Sequence, residues 1–131
     1  MAKKAKCQYK PGRNFFSFPR SLIQHQDYFS MTYAAKALLH DMCALYNGFN
    51  NGDISIPISV MKKFGWPSAT LDRAKDELLS KAWIYKTRQG GKGKHFSCSL
   101  YAISFIPLDD IGSKIDACFR VGQTTREFKK T

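Results

Sequence analysis

At Trp83 the hydrophobic period of this chain changes, and that change limits its fold more than any other feature. Before it, apolar residues recur every three to four positions. After it, β-branched and aromatic residues alternate in "WIYKTR" and "HFSCSLYAISF". In "TYAAKALLHDMCALYNG", Ala35, Leu38, Leu39, Met42, Leu45 and Tyr46 form one apolar stripe, with Thr32 as N-cap and Gly48 as the expected C-terminal cap. "PISVMKKFG" reads as a short helix that starts at Pro57, turns Val60, Met61 and Phe64 inward and ends at Gly65. "SATLDRAKDELLSKA" buries Leu71, Ala74, Leu78 and Leu79 and leaves a polar face. Two helices joined by the tight "GWP" turn and followed by a hairpin define an α+β chain with helix-turn-helix spacing. "DISI" supplies one short strand, and Pro107 closes the hairpin.

"RQGGKGKH", Arg88 to His95, sits at the tip of that hairpin. A phosphate-binding P-loop needs Ser or Thr after its lysine and a helix after that. Here His95 and a strand pattern follow Lys94, so no nucleotide site is expected. The glycines let the tip bend, and Lys92 and Lys94 project from it with Arg88 near the base. "SVMK", from Ser59 to Lys62, matches a penicillin-recognising motif without its partner motifs. Asp109 and Asp110 stand beside a proline and read as a helix start, not as an acid–base pair. Catalysis, a cofactor and a small-molecule substrate are therefore not expected. Cys7, Cys43, Cys98 and Cys118 and the three histidines lack metal-ligand spacing, so free thiols and no metal are expected.

The formal net charge is +11 on 131 residues, which calls for a polyanionic partner. The excess lies in the body and in residues 1–14, read as a flexible arm carrying Lys3, Lys4, Lys6, Lys10 and Arg13. The N-terminus lacks the apolar stretch of a secretory signal. No apolar run reaches the roughly 20 residues of a membrane helix, so a cytoplasmic location without membrane contact is expected. Phe15, Phe16 and Phe18 are expected to pack on the body ahead of a short helix from Pro19.

From Phe18 to Phe105 the chain resembles the winged-helix proteins of phages, plasmids and other bacterial mobile elements. The resemblance rests on "FPRSLIQHQDYFSMTYAAKALLHDMCALYNGFNNGDISI", above all its "YNGFNNG" loop, and on "FGWPSATLDRAKDELLSKAWIYKTRQGG". It implies a three-helix bundle with a β-hairpin wing over residues 15–106 that binds duplex DNA, with origin binding in replication initiation ahead of operator binding in transcription. A winged-helix adaptor that binds protein alone is the alternative from another class. Relatives usually place Ser or Thr where Pro67 stands, which leaves Ser68 as the candidate cap. They often end the third helix with Gly and Phe, where this chain has Ala82 and Trp83. In this reading Ser68, Ala69, Thr70 and Arg73 face base edges in the major groove. Arg88, Lys92 and Lys94 touch phosphate or a minor groove, and the arm adds salt-sensitive affinity.

Residues 107–131 lie outside the resemblance and read as a helix and tail. Ile111, Ile115, Cys118 and Phe119 fall on one stripe that covers the body or forms a homodimer interface. The Leu100–Tyr101 pair breaks strand alternation and marks an expected bulge.

Overall fold

The computed structural model describes residues 16–90, 98–112 and 118–125. Among them are five helices: α1 (Arg20–Ile23), α2 (Gln26–Phe29), α3 (Tyr33–Leu45), α4 (Ile58–Met61) and α5 (Ser68–Ser80). A single 3-10 turn, Lys62–Phe64, follows α4. Two strands, β1 (Ile84–Arg88) and β2 (Leu100–Ile103), pair antiparallel, and Ile54 adds a one-residue bridge to Tyr101. The chain is α+β, as the change of period requires.

Thr32 starts α3 by accepting the Ala35 N–H on its hydroxyl at 3.2 Å. Ala35, Leu38, Leu39, Met42 and Cys43 then point inward against Leu71, Ala74 and Leu78 of α5. Each large apolar side chain buried here contributes about 1.5–3 kcal/mol. The helix ends at Leu45 with Tyr46 already extended, so Gly48 lies beyond the cap and belongs to the loop. Pro57 precedes α4 as its N-cap. Met61 is buried and Val60 half-buried, but Phe64 is 38% exposed. The 3-10 turn rotates by three residues per turn rather than 3.6, which swings Phe64 off the α4 stripe. Gly65, at φ 88, makes the reversal that an L side chain resists and leads into α5.

No glycine closes α5. Ala82 takes the left-handed position at φ 61. The Ala82 N–H donates to Leu79 O and the Trp83 N–H to Leu78 O, the two bonds of a Schellman motif. A Cβ in this conformation costs about 1–2 kcal/mol. Burial of Trp83 holds it there: the indole is fully enclosed, with the Tyr28 and Phe105 rings 6.3 Å away. Phe16 and Phe18 join that aromatic group through Phe105, as expected for these two, and Phe15 lies outside the described residues.

The hairpin is covered on both faces. Ile84, Tyr101 and Ile103 belong to the main core. Leu100 and Ala102 are buried on the opposite side. The irregularity in pairing lies on β1, not on β2: Lys86 pairs Tyr101 and Arg88 pairs Leu100, leaving Thr87 as the extra residue. Thr87 is fully buried and its hydroxyl donates to Gly52 O at 2.6 Å, which accounts for the bulge.

The far face is closed by the chain beyond Pro107. Leu108 is buried and exchanges backbone hydrogen bonds with Gln123 and Gly122, and Thr125 N–H reaches Ser104 O. Asn51 locks the three parts together. Its fully buried amide shares two hydrogens among Ile103 O, Ile106 O and Pro107 O and accepts the Ile103 N–H at 2.7 Å. The Asn51 N–H meets the Asp109 carboxylate at 2.8 Å, and the Asp109 N–H returns to Asn51 O. Gly52 follows at φ 109, and a Cβ there would lie 2.5 Å from Leu108 Cδ1. The expected helix over Asp109–Val121 is absent at both of its described ends, and residues 113–117 lie outside the described residues. Asp109–Ile111 are non-helical, Gly112 is at φ 71, and Cys118–Val121 run through a turn. Of the stripe residues, Phe119 stacks on Tyr85 of β1 at 5.5 Å, Ile111 packs beside Gly52, and Cys118 is exposed. Ile115 lies outside the described residues.

Candidate nucleic-acid interface

The polar side of α5 is exposed from its first turn to its last. Leu71, Ala74 and Leu78 fix its inward side. The 3.6-residue period then turns Ala69, Arg73, Asp76 and Ser80 outward along one line, all of them exposed. Ser68 is exposed at the first turn. Thr70 is half-buried and lines, with Thr32, Ala34, Arg73, Ala74 and Glu77, a shallow groove of about 300 Å3 between α3 and α5. Of the four residues expected to read bases, three are therefore fully on the surface and Thr70 sits at its edge.

Pro67, not Ser68, is the N-cap of α5. It is extended at φ −71 and ψ 145 and has no side-chain acceptor to offer. Ser68 is the first helical residue, so its hydroxyl is in the wrong place to cap. The N–H groups of Ser68, Ala69 and Thr70 find no acceptor among the described residues; the first bonded one is Leu71, to Pro67 O. These donors and the positive end of the helix dipole face solvent.

Two side-chain pairs set the angle of α5 against α3. Just ahead of α5, the Trp66 indole N–H donates to the Asp41 carboxylate at 2.6 Å. Toward its C-terminal end, Glu77 accepts the Thr32 N–H at 2.9 Å and the Thr32 hydroxyl at 2.7 Å, so one helix caps the other. Lys81 stands 3.5 Å from the same carboxylate and donates to Ser30 O. Burial disfavours the Glu77 charge, but the Thr32 hydrogen bonds and the Lys81 ammonium outweigh it and hold the carboxyl below its ordinary range.

Arg88 sits at the neck of the hairpin, half-buried, and its guanidinium donates to Cys98 O at 2.9 Å across the strands. Its geometry pins the neck together with the Gly90 N–H to Ser99 Oγ bond. Lys92 and Lys94 of the tip, and Lys3, Lys4, Lys6, Lys10 and Arg13 of the arm, lie outside the described residues. Further basic residues stand on α5 or beside it. Lys62 and Lys63 are exposed in the 3-10 turn before it. Lys75 of α5 and Lys86 of β1 both lie 5.9 Å from the Tyr101 ring. The doublet "KK" just ahead of the Gly65 turn was a readable signal; the meeting of Lys75 and Lys86 depends on tertiary packing.

Elsewhere, burial pushes the Cys43 thiol far up and removes it as a nucleophile. Among the described residues no group of His, Cys, Asp or Glu is placed to hold a metal, and no helix is long and apolar enough to cross a membrane. No protein-family model matches the chain, and no curated protein or solved structure is detectably similar to it.

Proposed function

We propose that this chain is a winged helix-turn-helix protein that binds double-stranded DNA by sequence, without catalysis, as part of a mobile genetic element. The observation that carries the reading is α5: a helix anchored on its inner side by α3, with an exposed polar face, free N-terminal donors and basic residues next to it, in a chain of net charge +11. In this reading α5 enters the major groove, its first-turn N–H groups and Lys62 and Lys63 hold phosphate, and Arg73 reads guanine. Lys92 and Lys94 of the hairpin and the basic arm add sequence-independent affinity. Origin binding in replication initiation, ahead of operator binding, follows from the resemblance to mobile-element proteins.

The test is selection of duplexes from a random pool, followed by titration of the recovered site and a scrambled duplex over a range of salt. The expected result is tighter binding to the recovered site by about 1,000-fold or more. Both affinities should fall as salt rises, because phosphate contacts release counterions. Binding that ignores salt and sequence contradicts the reading and favours a protein partner. If a site is recovered, its occurrence in an array beside a helicase or primase gene favours replication, and a single palindrome ahead of its own gene favours transcriptional control.

A further inference from the structure

The charge of α5 runs against that of the whole chain. Ser68–Ser80 carries Asp72, Asp76 and Glu77 against Arg73 and Lys75, so this helix is net negative in a chain of +11. Glu77 is committed to Thr32 and Lys81. Asp76 is exposed and has no hydrogen-bond or ion-pair partner among the described residues; within the chain its charge is felt by the Tyr101 phenol. It lies on the line of Ala69 and Arg73, at the centre of the outward face. A carboxylate there repels every phosphate and can accept only from a base that offers a donor. In the major groove those donors are the amino groups of cytosine and adenine, and a carboxylate matches the cytosine N4 amino group.

On the reading of the preceding subsection, we infer that Asp76 is a specificity-determining residue, which with Arg73 selects two neighbouring G·C pairs by accepting from cytosine beside the guanine that Arg73 reads. The spacing agrees. Residues i and i+3 stand about 4.5 Å apart along a helix axis, against about 3.4 Å between base pairs. The basic residues around α5 then supply affinity, and the acid in its middle penalises sites that lack the matching donor.

The experiment compares wild type, Asp76→Ala and Asp76→Asn on the recovered duplex, on the duplex with the assigned C·G pair changed to A·T or T·A, and on random duplex. Circular dichroism melting verifies that each variant is folded, which this exposed position permits. Asp76→Ala should bind the recovered duplex about tenfold more weakly and random duplex about twofold more tightly. Asp76→Asn should move the preference at that one position from cytosine to adenine. An equal change on all duplexes, or no change on any while wild type still binds its site, overturns the role of Asp76 and leaves the DNA-binding reading standing. Absence of duplex binding by wild type itself overturns both.

Discussion

Two surfaces of this small chain treat their polar groups in opposite ways. Around Asn51 the donors and acceptors are turned inward and paired: one amide serves three carbonyls and one N–H, and Asp109 closes the loop from the other side. Along the outer side of α5, Ser68, Ala69 and Thr70 leave their N–H groups open, and Arg73 and Asp76 have no hydrogen-bond or ion-pair partner among the described residues. A buried polar group left unpaired costs about 1–3 kcal/mol, whereas one facing water costs almost nothing until a ligand displaces that water. The first region is architecture and the second is available for binding. Both are rich in polar residues, so composition alone does not separate them.

The largest effect is expected at the first region. Asn51→Ala strands the Ile103 N–H and the Ile106 and Pro107 carbonyls, and should cost about 3 kcal/mol in denaturant unfolding. The loss should come with looser residues 104–125 in hydrogen exchange. A loss under about 0.5 kcal/mol, the size expected of an ordinary surface change, removes the Asn51 hub. Arg73→Ala tests the second region. It should lower affinity for the recovered duplex by about 1–3 kcal/mol, change random-duplex affinity far less, and leave unfolding unchanged. An equal loss on both duplexes reduces Arg73 to a phosphate contact.

Smaller effects come from the joints between these regions. Ala82→Gly relieves the left-handed strain at the end of α5 and should raise stability by about 1 kcal/mol, less the entropy that glycine adds to the unfolded chain. A drop in melting temperature contradicts the strain argument. Glu77 should contribute least, because its carboxylate is partly solvated and screened. Its folded pKa lies below the ordinary 4.5, so the stabilisation is present above that value and is lost as pH falls through the lowered folded one. Glu77→Gln should flatten the stability profile in that acid window, by lowering stability slightly at neutral pH and leaving it nearly unchanged below the lowered pKa. An unaltered acid limb in the variant excludes this linkage.

Much of the fold was readable because it depends on local rules. The α3 and α5 stripes, the Thr32 cap and the Gly65 turn all follow from residues within one or two turns of one another. The misreadings occur where distant partners decide. Ile111, Cys118 and Phe119 keep helical spacing, yet bonds from Leu108 to Gln123 and from Asp109 to Asn51 hold the described flanks of that segment in other conformations. The bulge was expected at Leu100–Tyr101 and falls opposite, on Thr87, because the Thr87 hydroxyl finds Gly52, 35 residues away. Asn51 reads as one more turn residue in "NGFNNGD", since its partners are 52 to 58 residues further along. At the candidate site the outward line of α5 was legible from periodicity, and the "KK" of the turn was there to be read. The inward turn of Thr70 and the engagement of Arg88 with Cys98 depend on how elements meet, which the spacing of residues does not encode.

The most direct test of the division between the two surfaces is a map of backbone amide shifts as the recovered duplex is added to the isotope-labelled chain. That division predicts changes that gather at Lys62–Phe64 and at Ser68–Asp76, with the Asn51, Ile103 and Leu108 amides unmoved. Changes centred on Asn51–Asp53 and Leu108–Asp109, with the first turn of α5 silent, contradict it.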